Sequence, residues 1–215
     1  TDKTRIVTRE VVHRTGGVTR LVVVDYGMGN LQSVAKALAA AGAHPVVTAS
    51  PRVVEGARAL VVPGQGEFGA AMRRLGRAGV GSAIRRAMAK GTSYLGICLG
   101  LQILFDRSEE APGEPGLGVF RGGVRRFQRR SGLKVPHVGW NRVKSSGKRK
   151  ADFYYFDHSY YADPEDGDVV NGRTDYGVTF CAAVRRGPVT AVQFHPEKSQ
   201  ATGLAVLRSF VRSAC

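Results

Sequence analysis

The chain of 215 residues contains no run of about 18 apolar residues, so the sequence predicts no membrane-spanning helix. Cysteine is scarce: Cys98, Cys181 and Cys215 are far apart and odd in number, which excludes a disulfide framework and a cysteine-based zinc motif. The first 20 residues are polar and basic and lack the apolar stretch of a signal peptide. We therefore expect a protein of the reducing cytoplasm, without a membrane partner, in which nothing requires a metal or an organic cofactor.

Acidic residues are also few. The chain has 17 Asp and Glu against 32 Lys and Arg, which gives a formal net charge of +15 at pH 7. Such an excess is typical of proteins whose partner is nucleic acid, an acidic protein surface or an anionic ligand. The arginines are scattered along the chain, and no RNA-binding signature or Cys/His zinc motif accompanies them. We therefore expect no nucleic-acid partner and favour an acidic partner face or a phosphorylated ligand held nearby.

The chain divides into two parts of different character. Residues 1–19 are charged and have no long apolar pattern, so they are predicted to be a disordered N-terminal extension. Residues 20–215 are predicted to form one domain, which begins with the β-branched run LVVV. Strand-like and helix-like segments alternate in its first half, and short strands with Gly- and Pro-rich turns follow. This order predicts an α/β fold with a mostly parallel central sheet, helices on both faces and an added antiparallel β layer.

Several segments are predicted from their periodicity. Asn30 is a candidate N-cap for a helix that ends near Gly42. The stretch LGLQILFD is predicted to be a helix, and FYYFDHSYYA is predicted to be one strand. The segment ATGLAVLRSFVRSA closes the chain as an amphipathic helix.

Cys98 lies in the sequence GICLG, between a strand-like run and a helix-like run, which has the form of a nucleophile elbow. The flanking glycines allow a tight turn, and the start of a helix favours thiolate over thiol. The backbone N–H of Leu99 is then available to a developing oxyanion. The alternative is a buried structural cysteine, and the motif alone does not exclude it.

A cysteine nucleophile needs a base, and His195 follows a predicted buried strand in VTAVQFHPEKS. Glu197, two residues later, is placed to hold the imidazole tautomer as the third member of a triad. Gln102, four residues after Cys98, shares a helix face with it and is a candidate substrate contact; the alternative is a surface glutamine. The glycine-rich loop in VVPGQGEFG can present N–H groups to an oxyanion.

In these motifs the sequence resembles the class I (triad) glutamine amidotransferases, and more closely the glutaminase subunits of imidazole glycerol phosphate synthase. The matching stretches follow one another in order from Leu21 towards the C-terminus: VVVDYGMGNLQSV, PGQGEFG, LGICLGLQILF, VPHVGWN, FDHSYY and QFHPEKS.

The resemblance implies a role for each matching residue. Cys98 is the nucleophile, His195 is its base, and Glu197 orients the base. A second set is implied to bind the substrate and its oxyanion: Gly64, Gln65, Gly66, Leu99, Gln102, Ser159 and Tyr160. A third set is implied to contact a partner subunit: His137, Trp140, Tyr155 and Lys198.

The implied reaction is hydrolysis of L-glutamine to glutamate and ammonia. The resemblance also implies a heterodimer with a (β/α)8-barrel cyclase subunit, which uses the ammonia to make imidazole glycerol phosphate and an aminoimidazole carboxamide nucleotide (AICAR) in histidine biosynthesis. In such enzymes the glutaminase is nearly idle until the cyclase holds its ligand. Two alternatives remain, an amidotransferase subunit that serves a different synthase and a non-catalytic binding module, although the complete triad argues against the second.

Two residues depart from the family pattern, which has a small apolar residue in place of Gln65 and an apolar residue in place of Asp157. Both are expected near the site. Gln65 is expected to affect the peptide orientation of the oxyanion loop, and Asp157, if buried, would need a partner.

Overall fold

The structure is a computed structural model that describes residues 21–129 and 132–214. The predicted N-terminal extension (1–19) and Cys215 lie outside the described residues. The described strands are β1 (Leu21–Val24), β2 (Val46–Thr48), β3 (Ala59–Gly64), β4 (Ser93–Cys98), β5 (Phe105–Ser108), β6 (Phe120–Arg126), β7 (His137–Ser145), β8 (Asp152–His158), β9 (Tyr160–Pro164), β10 (Val170–Asp175), β11 (Thr179–Arg186) and β12 (Val189–Val192). The described α-helices are α1 (Leu31–Ala40), α2 (Pro51–Glu55), α3 (Phe68–Arg77), α4 (Val80–Ala89), α5 (Leu99–Gln102) and α6 (Gln200–Ala214).

The strands form one continuous sheet in the order β2-β1-β3-β4-β12-β11-β10-β7-β8. The pairs from β2 to β12 are parallel, and the pairs from β12 to β8 are antiparallel. A branch of the sheet starts at β11, where β9 pairs with β11, β6 pairs with β9, and β5 pairs with β6. The predicted class is therefore confirmed: a mostly parallel half with helices on its faces carries an added antiparallel region.

The parallel half is buried on both faces, as its β-branched composition predicts. Leu21 and Val23 of β1 belong to the core cluster on the side of α1 and α6, whereas Val22 and Val24 belong to the cluster on the side of α3 and α4. The predicted N-cap of α1 is present, since the side chain of Asn30 accepts a hydrogen bond from the N–H of Ser33. In the described part of the chain, no helix is long and apolar enough to cross a membrane.

Two predicted segments differ from the structure. The helix predicted for LGLQILFD ends at Gln102, because Phe105 begins β5 and pairs with Phe120 of β6. The single strand predicted for FYYFDHSYYA is two strands, β8 and β9, which are separated at Ser159 and pair with different neighbours. In both places the sheet provides partners that a local pattern does not reveal. The short elements α2 and β10 were not predicted.

Candidate active site

The site lies where the parallel strands β3, β4 and β12 end. The register of β3 with β4 places Gly64 directly opposite Cys98. On the other side of β4, β12 ends at Val192, three residues before His195. Side chains that follow the carboxyl ends of parallel strands meet at one edge of the sheet, so these residues share a site.

Cys98 forms the sharp turn that the elbow motif predicts. Its backbone has φ 54° and ψ −108°, and it is one of two non-glycine residues with positive φ in the part of the chain that the structure describes. A Cβ on Gly100 would overlap the carbonyl oxygen of Val62, so this position requires glycine. The buried Tyr94 hydroxyl donates a 2.8 Å hydrogen bond to the Gly100 carbonyl and supports the turn. Strain of this kind is typical of a residue held for chemistry.

His195 and Glu197 form a buried pair. The imidazole Nδ1 lies 2.7 Å from Glu197 Oε1, and both side chains are almost completely buried. Burial lowers the pKa of His195, but its interactions with the Cys98 thiolate and the Glu197 carboxylate outweigh burial and raise that pKa to about 10. The other ring nitrogen, Nε2, is buried without a hydrogen-bond partner among the described residues. Apo sites commonly hold a catalytic base in this open geometry, which closes when substrate binds.

Ser199 fixes the turn that carries this pair, and sequence reasoning did not single it out. Its hydroxyl donates to the carbonyl of His195 at 2.6 Å and accepts from the N–H of Tyr155 at 3.0 Å. The N–H of His195 in turn donates to the Tyr155 carbonyl at 2.9 Å. The triad segment is therefore tied to strand β8.

The Cys98 sulfur has two further polar neighbours that were not predicted. The amide nitrogen Nε2 of Gln193 is 3.6 Å from Sγ, and the backbone carbonyl oxygen of Asp157 is 3.9 Å from it. Gln102 is buried rather than exposed, and its Nε2 donates to the Tyr160 carbonyl at 2.9 Å and to Gln193 Oε1 at 3.2 Å. Both N–H groups of the Gln102 amide are engaged in these bonds. If Gln102 contacts a substrate, it therefore does so through its carbonyl oxygen Oε1.

The residues predicted to bind substrate surround this centre. Gly64 is buried against Leu99 and the hydroxyl of Tyr26, so a side chain at Gly64 would overlap both. Gln65 is half-buried in the loop that follows β3, and Gly66, with φ 105°, is exposed there. Ser159 and Tyr160 are half-buried where β8 ends and β9 begins.

Two buried histidines lie beside the site without belonging to it. His137 Nδ1 is 3.0 Å from His158 Nε2, and His158 Nδ1 is 2.8 Å from the Tyr160 carbonyl. Because a carbonyl can only accept, His158 carries its proton on Nδ1 and accepts from His137. Burial lowers the pKa of His137 to about 4 and the pKa of His158 to about 3, so both rings are neutral at pH 7.

The predicted partner residues lie on or behind the exposed face of the β7–β8 pair. Trp140 is 47% exposed and meets Tyr155 edge to face, with ring centroids 6.2 Å apart. Lys198 lies over the Tyr155 ring, 5.5 Å from its centroid. His137, by contrast, is only 2% exposed, so it supports this face from behind and offers no ring to a partner.

Asp157 is exposed on the same face, because successive residues of β8 point to opposite sides of the sheet. The carboxylate of Asp157 is therefore in contact with solvent and does not need a buried partner. This carboxylate lies 4.0 Å from Lys198 Nζ, while the backbone carbonyl oxygen of Asp157 lies 3.9 Å from Cys98 Sγ. No group of three or more His, Cys, Asp or Glu in residues 21–129 and 132–214 is arranged to hold a metal ion.

Comparison with known proteins identifies the family of this chain. The sequence profile of the family "Glutamine amidotransferase class-I" matches residues 22–214. The "Imidazole glycerol phosphate synthase subunit HisH" of Aquifex aeolicus (strain VF5) is 48% identical over 203 residues, which cover 91% of this chain and 97% of that protein. The subunit of the same name from Thermococcus kodakarensis is 49% identical over 204 residues, which cover 89% of this chain and 99% of that protein.

Solved structures agree on the fold. A "Crystal structure of glutamine amidotransferase" superposes with a TM-score of 0.73 at 23% identity and covers 92% of this chain and 100% of its own. The "Structure of PurLQS from Thermotoga maritima" superposes with a TM-score of 0.68 at 18% identity, covering 92% and 99%.

Proposed function

This chain belongs to the class I glutamine amidotransferases, among relatives named as imidazole glycerol phosphate synthase subunit HisH, and on that premise we propose how its residues perform the reaction. It is the glutaminase subunit of the synthase and acts in histidine biosynthesis. The substrate is L-glutamine, and the products are glutamate and ammonia.

The first half of the reaction is acylation. The Cys98 thiolate attacks the side-chain amide carbon of glutamine, and the developing oxyanion receives N–H groups from Leu99 and from the Gly64–Gly66 loop. The protonated His195 donates a proton from Nε2 to the departing nitrogen, which leaves as ammonia. Glu197 holds the other ring nitrogen and stabilises the imidazolium.

The second half is hydrolysis of the thioester. His195, now neutral, takes a proton from water, and the resulting hydroxide attacks the glutamyl carbon. The thiolate leaves, and glutamate is released. Gln102, Ser159 and Tyr160 are the remaining residues that we assign to holding glutamine during both steps.

The buried His195–Glu197 contact at 2.7 Å supports this assignment, because it engages Nδ1 and leaves Nε2 for Cys98, which lies at a strained turn and interacts with His195. The test is ammonia release from glutamine by wild type and by Cys98→Ala, each combined with the cyclase partner. The variant should lose about a thousandfold or more of the activity. Cys181→Ala is the matched control, since burial raises the pKa of that strand thiol to about 12 and it should leave the rate unchanged. Equal rates for wild type and Cys98→Ala would refute the proposal.

The partner that we propose is a (β/α)8-barrel cyclase subunit, docked on the exposed face of the β7–β8 pair. This face carries Val138, Trp140 and Phe153, each roughly half exposed, together with the cation of Lys198. Exposed aromatic residues grouped on one face are typical of a protein–protein interface. The face also lies close to the site, because the backbone carbonyl of Asp157, whose side chain is on this face, is 3.9 Å from Cys98 Sγ.

A further inference from the structure

Gln193 has no role in the assignment above, yet it lies in the centre of the site. It follows the last residue of β12, and its side chain is completely buried, with 0% of the residue exposed. Its backbone N–H donates to the Ala182 carbonyl at 2.8 Å, which fixes the residue against β11. Its side chain then reaches across to β4, where Nε2 is 3.6 Å from Cys98 Sγ.

The hydrogen-bond network determines which end of the Gln193 amide faces the sulfur. The Tyr160 carbonyl can only accept, so the group of Gln102 that contacts it is the amide nitrogen. The second N–H of Gln102 donates to Gln193, so the group of Gln193 on that side is its carbonyl oxygen. The amide nitrogen of Gln193 must therefore point towards Cys98. This orientation is determined by the Tyr160 backbone carbonyl, whose role as an acceptor is certain.

The two polar neighbours of the sulfur favour opposite protonation states. The carbonyl of Asp157 can only accept, so it favours the thiol S–H. The amide of Gln193 donates, and a donor aimed at sulfur favours the thiolate. Burial strengthens such a bond, because little water competes for it.

We propose that Gln193 is a further catalytic residue, whose side-chain amide donates a hydrogen bond to the Cys98 thiolate and stabilises the nucleophile. Gln102 acts through it as a positioning residue, because its own amide holds the Gln193 carbonyl. The role in glutamine hydrolysis rests on the proposed function, whereas stabilisation of the thiolate is a property of this chain alone.

The test compares wild type with Gln193→Met, which keeps the length of the side chain and removes the donor. Alkylation of Cys98 by iodoacetamide is followed from pH 5 to 10 in the full chain, with the modified peptides resolved by mass spectrometry. The pH of half-maximal rate should rise by about one unit in Gln193→Met, since a hydrogen bond to a charged group contributes about that much. Gln193→Glu places a negative charge near sulfur and should raise it further.

Two controls separate this role from packing. Gln32→Met makes the same substitution at an exposed position of α1, and Leu207→Ala removes core packing in α6. Both should keep the wild-type alkylation profile, although Leu207→Ala lowers the melting temperature. In complex with the cyclase partner, Gln193→Met should lower kcat about tenfold near pH 7, because Gln193 contacts the sulfur of the nucleophile.

Each outcome decides the proposal. An unchanged alkylation profile in folded Gln193→Met would overturn it, and if that variant does not fold, an unchanged profile in Gln193→Glu would do the same. A shifted profile in a chain whose wild type releases no ammonia with the partner would support the thiolate contact and refute the proposed function instead.

Discussion

Individual residues of the site are held by more contacts than a triad requires. His195 is fixed at both its backbone and its ring, by Ser199 and Tyr155 on one side and by Glu197 on the other. Pre-organised groups of this kind lower the cost of reaching the transition state. The consequence is that small chemical changes at these positions should have large effects on rate and small effects on folding.

Replacement of Glu197 by Gln tests the orientation of the base. The amide nitrogen of glutamine would face Nδ1 in one of its two orientations, and the imidazolium would lose its counter-charge, so kcat should fall by about 10²–10⁴-fold. Ammonia release with the partner measures this effect. Glu165→Gln, at an exposed ion pair with Arg107, should leave kcat unchanged. A Glu197→Gln enzyme with wild-type kcat would contradict the assigned role.

Replacement of Gly100 by Ala tests the packing beneath the elbow. The added methyl group would overlap the Val62 carbonyl, which cannot move without distorting β3, so the free energy of unfolding should fall by about 3 kcal/mol. Denaturant titration measures it. Gly76→Ala is the control, because Gly76 lies in α3 with no atom near its added methyl group and should gain up to about 1 kcal/mol. Equal stability of the two variants would argue against the close approach of Gly100 to the Val62 carbonyl.

At the scale of elements, strand β8 connects the outer face to the site. Its backbone carries the carbonyl near Cys98 and the hydrogen bonds to Ser199 and His195, and its outer face carries the side chains of Tyr155 and Asp157. Adjacent to it, β7 contributes Trp140 outside and His137 inside. A partner bound to the outer face would therefore contact a strand that also holds residues of the site.

Removal of a buried histidine should change the acid stability of this strand pair. Between about pH 4 and 6.5 the unfolded chain binds a proton at His137 and the folded chain does not, so the free energy of unfolding falls as the pH falls through this window. In His137→Gln, unfolding should take up about one proton fewer in this window, so the free energy of unfolding should depend less steeply on pH. Denaturant titration at several pH values measures this slope. An unchanged slope in His137→Gln would contradict the buried neutral state.

Truncation of Trp140 should weaken the complex without unfolding the chain. An exposed aromatic residue at the centre of an interface commonly contributes about 2 kcal/mol, so Trp140→Ala should raise the Kd for the cyclase about 30-fold. Titration calorimetry measures it. Val178→Ala, at an exposed apolar residue between β10 and β11, should leave the Kd unchanged. If both variants bind as the wild type does, the partner docks elsewhere.

At the scale of the whole molecule, the chain carries a net charge of +15. Many of the acidic side chains are already paired on the surface, among them Glu55, Glu114 and Glu165. We expect the unbalanced positive charge to act mainly at long range, where it would attract an acidic partner before contact is made.

The rate of association should therefore depend on salt. Between about 50 mM and about 500 mM NaCl, the association rate constant with the cyclase should fall on the order of tenfold, while the dissociation rate changes little. Stopped-flow or surface-based kinetics measures both constants. An association rate that is independent of salt would show that the charge does not serve this partner.

Local sequence determined the features that depend on neighbouring residues. The buried run of β1, the N-cap at Asn30 and the strained turn at Cys98 each follow from side chains within a few positions, so they could be predicted. The resemblance of the motifs added the family and the roles. Neither the local sequence nor the resemblance shows which groups surround each residue after folding.

The tertiary structure decided the rest, because strand order brings distant residues together. Gln193 reaches a sulfur 95 positions away only because β12 inserts beside β4, and Gln102 is buried only because β9 covers it. The side of β8 on which a residue lies decides that Asp157 is exposed and that His158 is neutral and buried. The sequence predicts that Cys98 is the nucleophile, and the packing of the sheet determines which groups surround it.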